Sequence, residues 1–238
     1  MLGDAAAGLH RATVTQSCLR RNDWLCAEYV TTRRDDLVEA LTQHALITVA
    51  AVVLGVLVAV PLAVLVRRSR GLSAAVTGTA TVIYTIPSLA LLAFLFTFPF
   101  LGLSDATVVV ALALYSLAIL LRNTLDGLAA VPGDAVDAAR GMGYGAGRLL
   151  TTVELPLALP AILAGVRIAT VSTVALATLG TIVGHGGFGD LISRGLQSNF
   201  RSEVLTATVG TVLLALVLDA LLLLVQRALT PWSRGGVS

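Results

Sequence analysis

The sequence predicts an all-α, polytopic membrane protein with about five transmembrane helices. Of its 238 residues 56% are hydrophobic and only 13% are charged, at a mean hydropathy of +0.89, whereas a soluble domain carries about 25% charged residues. Five apolar runs approach or exceed the ~20 residues a helix needs to cross the bilayer core. The arginines fall mainly in alternate connections between those runs. Every lipid-exposed backbone group must be bonded within its own helix, which is why apolar length locates spans.

The first 44 residues read as a hydrophilic tail. They lack a continuous apolar core, so no secretory signal peptide is expected. Cys18 and Cys26 both lie here. Their spacing fits neither a zinc site nor a redox motif, and outside the cell a disulfide between them is permitted, with free thiols the alternative. Leu37, Val38 and Leu41 follow Arg33-Arg34-Asp35-Asp36 at helical spacing, which suits either an interfacial helix or a plain extension of the first span. The spans themselves are expected at about 46–66, 74–98 (interrupted by Pro87), 106–121, 157–183 and 204–225. With the remainder 45–228 as membrane unit, 229–238 forms a second tail.

Five spans put the 67–73 loop, the 122–156 loop and the C-terminal tail on one side. Those three hold eight arginines, at 67, 68, 70, 122, 140, 148, 227 and 234; the opposite short loops hold Arg194 and Arg201 only. The positive-inside rule makes the first side cytoplasmic, with the N-terminus outside. Trp24 and Trp232 lie just beyond membrane ends, where indole favours the interface. Basic and acidic residues nearly balance, at 16 and 14, so there is no nucleic-acid signature. All the basic residues are Arg, which excludes a P-loop lysine on this chain.

The 123–156 segment is a polar interlude between apolar runs. Pro132-Gly133 reads as a turn, Asp134 as an N-cap and Asp137 as the partner in a variant capping box. Ala135, Ala138 and Ala139 give the helix that follows a face of small side chains, and Gly141 and Gly143 end it. A second amphipathic piece, with Leu149, Leu150 and Val153, leads to Pro156 and Pro160, whose missing N–H groups suit a helix start. A short small-faced helix can sit in a groove of another protein while leucines anchor the loop to its own bundle. Such a device transmits a rigid-body movement to the spans on either side.

Asp137-Ala138-Ala139, three residues, Gly143, nine residues and Val153-Glu154-Leu155-Pro156 resemble the pattern Glu-Ala-Ala-x3-Gly-x9-Ile-x-Leu-Pro, the cytoplasmic coupling loop of permease subunits in bacterial ATP-binding-cassette importers. Asp137 stands for the usual Glu and Val153 for Ile. Thr85-Ile-Pro-Ser-Leu-Ala-Leu-Leu, Leu121-Arg-Asn-Thr, Ala164-Gly-Val-Arg and Gly186-Gly-Phe-Gly-Asp extend the likeness, which is similar to the osmoprotectant branch importing glycine betaine, choline, carnitine or proline-like solutes. The resemblance implies alternating access through a pore of two permease subunits, identical or not, with two ATPase subunits binding ATP and Mg, and an extracytoplasmic binding protein. It assigns ATPase coupling to Asp134, Asp137, Ala138, Ala139, Gly143, Val153 and Pro156, and no cofactor to this chain. A permease for methionine or another small polar solute is the alternative, since the same loop serves all of them. An ion-coupled secondary transporter would place several acids at mid-membrane, where this chain offers one.

That acid is Asp219, which with Arg167 forms the two charges clearly within spans. Each lies about 12–17 Å from the arginine-rich boundary at 1.5 Å rise per residue, so they can pair. Pro87 beside Tyr84 and Ser88 splits a span, and such breaks free carbonyls and often line a cavity; a quaternary ammonium can rest on aromatic faces such as Tyr84 or Tyr115, or these are core aromatics at a plain kink. Small-residue ridges, Ala161-Gly165-Ala169-Thr173-Ala177-Thr181 and Gly55-Ala59-Ala63, let backbones approach closely, within the chain or across a dimer. The three histidines, His10, His44 and His185, show no metal-ligand or protease spacing, and no metal site is expected.

Overall fold

A computed structural model describes residues 17–234, all of whose regular elements are helical. Two short helices, α1 (Cys18–Arg21) and α2 (Ala27–Thr32), precede α3 (Arg34–Val66). Then come α4 (Arg70–Thr85), α5 (Ser88–Leu95), α6 (Asp105–Ala129), α7 (Gly133–Gly141), α8 (Ala146–Leu149), α9 (Leu155–Ala177), α10 (Phe188–Gln197) and α11 (Arg201–Leu229). A π-turn over Leu150–Glu154 joins α8 to α9, and 3-10 turns follow α9 (Thr178–Val183) and α11 (Pro231–Arg234). Among the described residues four helices are long and apolar enough to cross a membrane, and five spans result if the bent pair α4 and α5 counts as one.

The elements depart from the expected spans where a local force outweighs hydropathy. α3 begins at Arg34, so residues 34–43 extend the first span as one helix, and position 44 marks no break between tail and membrane unit. The third span does not stop at Leu121 but runs on to Ala129: Arg122 reaches outward and faces Asp126 one turn later at 3.7 Å, and the Asn123 side chain donates to the Ile119 carbonyl. The second span is turned rather than kinked at Pro87. α4 and α5 meet at 94°, because Pro87 has no N–H to continue α4 and forces Ile86 into an extended conformation (φ −64°, ψ 130°).

α6 lies between α3 and α9 and packs along both, while α11 lies against α9 and α10, and α4 touches mainly α6. The two ridges of small residues are spent inside this core. A Cβ placed on Gly55 would lie 2.2 Å from the Ser116 hydroxyl oxygen, one on Gly127 2.9 Å from the Ala161 Cβ, and one on Gly165 2.5 Å from the Asn123 Cβ. Lipid tails are as apolar as leucine, so burial alone does not drive helices together in a bilayer; close van der Waals approach does. Ala59, Ala63, Ala80, Leu120, Leu121 and Ala169 form one buried layer, and Ile47, Leu92, Val108, Leu112 and Ala177 belong to a second nearer the opposite end.

Gly165→Leu should therefore force α6 and α9 apart, a cost of about 1–3 kcal/mol by overpacking, and lower the thermal unfolding midpoint in detergent. Gly71→Ala, whose added Cβ meets nothing within 4 Å, should leave the midpoint unchanged. Equal stability of the two variants would contradict this packing.

Candidate functional site

The connection from α6 to α9 carries the motif residues. α7 starts at Gly133 with Pro132 at its cap, and no side chain caps it. The capping box expected of Asp134 and Asp137 is absent: Asp134 already lies in the first turn, and Asp137 faces Arg140 at 3.5 Å. The Pro132 carbonyl accepts the first helical N–H groups instead. Nor do the alanines form a single outward face. Ala138 is exposed, whereas Ala139 is 1% exposed and turned into its own subunit. α7 ends at Gly141, and Gly143 adopts φ +83°, a left-handed turn that glycine enters at no steric cost. The chain then re-enters through α8, where Leu149 is buried, and the π-turn containing half-buried Val153 delivers Pro156 to the first turn of α9.

An ion pair unforeseen from sequence fastens this loop. Arg67, where α3 ends, lies 2.6 Å from Glu154 in the π-turn, each side chain 13% exposed. The arginines near the end of α3 had signalled only which side they lie on; Glu154, a lone acid between apolar residues two positions before a proline, was the available clue. Next to it opens a cleft of about 820 Å³ lined by Arg67, Arg68, Asp126, Arg140, Tyr144 and Glu154. Arg148 stacks over the Tyr144 ring at 4.2 Å.

Deeper in the bundle, Arg167 on α9 and Asp219 on α11 meet through two parallel hydrogen bonds of 2.8 and 2.9 Å. The planar fork of guanidinium matches a carboxylate in this bidentate mode. Gln226 extends the link: its side-chain oxygen lies 3.5 Å from Arg167 and its amide nitrogen donates to the Pro160 carbonyl.

At the other end of the bundle the tail forms a clasp. Cys18 and Cys26 are joined by a disulfide. Asn22, between them, accepts from the Arg201 N–H at 2.8 Å and donates to the Asn199 carbonyl at 2.7 Å, so it caps α11 from 179 residues away. Tyr29 packs edge-on against Phe200, and burial, followed by the nearby Glu203 carboxylate, pushes its phenol up to about 12. Beside the clasp, buried His44 faces the Val174 carbonyl through Nε2 and accepts from the Phe188 N–H at Nδ1. His185 does not stand free in its loop. Its Nδ1 lies 2.9 Å from Asp105, which also accepts from Gln43, joining α3, α6 and the α9–α10 loop.

In the broken second span the four sequence candidates separate. Tyr115 is 6% exposed and its hydroxyl donates to the Ile86 carbonyl freed by Pro87. Tyr84 is 45% exposed, with its ring edge-on to Tyr115 at 5.8 Å. Ser88 is half-buried where α5 begins. The fold thus gathers motif residues at the arginine-rich end, an ion pair between α9 and α11, a broken span, and a polar clasp at the opposite end.

Such an arrangement is that of a transport permease. Residues 51–235 match the family described as binding-protein-dependent transport system inner membrane component, and the chain belongs to that family, the membrane component of ATP-binding-cassette importers. It is 37% identical over 204 residues to the choline transport system permease protein OpuBB of Bacillus subtilis (strain 168), covering 86% of this chain and 93% of that one. It is 39% identical over 189 residues to the carnitine transport permease protein OpuCB of Listeria monocytogenes, covering 79% and 86%. In fold it matches the inward-facing MetNI methionine transporter at a TM-score of 0.76 with 21% identity, covering 84% of this chain and 98% of that one. The protein is a multi-pass component of the bacterial inner membrane, and a transporter subunit rather than an enzyme.

Two outcomes test this geometry. Arg167→Ala strands the Asp219 carboxylate at membrane depth, a cost of about 2.5–3.5 kcal/mol, and should reduce assembled protein; exchanging the two residues should recover part of it, and no recovery would contradict the pairing. The Tyr29 phenol holds its proton more tightly folded than unfolded, so its contribution is complete below pH 10 and is lost as pH rises through about 12. Tyrosinate absorbance of the wild type minus Tyr29→Phe should titrate late; an unshifted titration would contradict its burial.

Proposed function

We propose that this chain is the permease of an ATP-driven importer for small quaternary-ammonium solutes of the glycine betaine, choline and carnitine type. The observation that carries the reading is the similarity, over more than three quarters of the chain, to permeases named for choline and for carnitine transport. Methionine or another amino acid is the second solute class; it rests on solved structures at 19–24% identity, which speak for the fold alone. Membership of the importer family removes the ion-coupled alternative.

In this reading the arginine-rich end faces the cytoplasm, the disulfide clasp faces outward, and two permease subunits, identical or paired with a sister, form the pore. Two ATPase subunits bind ATP and Mg beneath it, and a binding protein delivers solute from outside. α7 rests in a groove of the ATPase with Ala138 outward. Ala139, Leu149 and the Arg67–Glu154 pair hold the loop to the bundle, so a displacement of α7 passes to α3, α6 and α9 together rather than flexing the connection. Asp137 and Arg140 pair weakly at the surface, and exposed Asp134, one turn before Ala138, adds an acid to the outward face. Alternating access then requires two such bundles to tilt against each other, with the Gln43–Asp105–His185 contacts keeping α3, α6 and the α9–α10 loop of each together at the outer end.

The test is uptake of radiolabelled glycine betaine, choline and methionine into proteoliposomes holding the permease, its ATPase and its binding protein. Quaternary-ammonium uptake that needs ATP is the expected result; methionine uptake alone would move the chain to the second class. Ala138→Arg should leave the permease folded but abolish uptake and solute-stimulated hydrolysis, because a large cation replaces a methyl group at the proposed contact. Ala139→Arg should instead disrupt the loop itself, seen as loss of thermal stability. Full coupling in Ala138→Arg would contradict the docking.

A further inference from the structure

α4 has little cover from its own chain, with Ala80 the one buried residue among its 16. Its outward surface is not uniformly apolar. Thr77, Thr81, Tyr84 and Thr85 recur at intervals of three and four, on one side of the helix. The Thr81 and Thr85 hydroxyls donate back to the carbonyls of Thr77 and Val82, leaving oxygen lone pairs outward.

At the foot of this stripe the backbone breaks. Ile86 N–H bonds to Ile83, and Pro87 has no N–H, so among the described residues no donor reaches the carbonyls of Tyr84 or Thr85; the Ile86 carbonyl is taken by Tyr115. Non-helical backbone at membrane depth is tolerated only where it is buried in protein or lines a wet cavity. The exposed Tyr84 ring, two unbonded carbonyls and a row of hydroxyl oxygens thus follow one another along the same end of α4. Each presents negative partial charge and suits a cation, and the aromatic ring does so without needing a hydrogen from it.

We propose that this patch is a solute contact on the translocation path, in which the face of Tyr84 receives the quaternary ammonium and Tyr115 is a positioning residue. The inference rests on the quaternary-ammonium reading above and assigns it a place within the membrane. The two tyrosines divide the work: the Tyr115 ring is buried and its hydroxyl engaged at the Pro87 break, so it sets the orientation of Tyr84 without reaching solute. Ser88, half-buried past the bend, lies outside the contact.

The experiment uses the assembled transporter in proteoliposomes at saturating binding protein, with radiolabelled choline and glycine betaine. Tyr84→Leu should lower uptake about tenfold, in the range a desolvated cation–π contact allows, while solute-stimulated ATP hydrolysis continues. Tyr84→Phe should retain transport, because the ring face is kept. Tyr115→Phe should fall between, having freed the joint. Should Tyr84→Leu not assemble, fluorinated phenylalanines at position 84 substitute for it: they keep the shape while draining the ring face, and uptake should fall stepwise with fluorine number. Undiminished uptake in Tyr84→Leu or across the fluorine series overturns this site and leaves the solute class standing. Absence of quaternary-ammonium uptake in the wild type overturns the solute class and the site with it.

Discussion

The structure depends on how closely α6 can lie between α3 and α9. In water a hydrophobic core would hold three helices; in lipid the surrounding chains offer the same contacts, and only approach closer than lipid can manage favours helix on helix. Gly55, Gly127 and Gly165 remove the Cβ atoms that would otherwise strike Ser116, Ala161 and Asn123. Because the three helices are locked to one another, both ends of the bundle inherit fixed positions. The loop after α6 returns to α9 at a set place, and the broken α4–α5 element leans on α6 rather than on lipid alone.

Polar contacts then specify what close packing cannot. Arg167 and Asp219 fix the register of α9 against α11, with Gln226 adding the Pro160 carbonyl. Arg67 and Glu154 fix the end of α3 to the π-turn. The Gln43–Asp105–His185 group and the Asn22 cap close the far end. Each joins elements distant in sequence, so each can report or resist a relative movement of helices. A bundle held by polar locks at both of its ends resists flexing and moves as a unit, which is what rigid-body alternating access between two subunits requires.

Much of this was legible in the sequence. Apolar length gave the spans, and one intramembrane acid opposite one intramembrane base gave a testable pair. The loop motif marked the connection whose docking on the ATPase is proposed above. What hydropathy could not reach was set by side chains at helix ends. α6 outlasts its apolar run because Arg122 and Asn123 find partners on the helix itself. The cap of α7 is Pro132 because the backbone geometry before Gly133 serves where a carboxylate was expected. Ala138 and Ala139 are identical in chemistry and differ only in the direction of the Cβ, which composition cannot express. Nor can spacing tell that Tyr115 turns inward to a freed carbonyl while Tyr84 stays outward.

In the proposed mechanism the loop, α3, α6 and α9 move as one body when the ATPase moves. Spin labels report on this directly, since both native cysteines are held in the disulfide and leave introduced cysteines to be labelled. One label at Asp134 and one at Arg122 measure the loop against its own bundle; labels at Thr81 in two permease subunits measure the pore. Through the ATP cycle the account predicts a loop-to-bundle distance constant to about 2 Å and a pore distance that changes by clearly more. A loop that shifts against α6 while the pore distance holds still would contradict it.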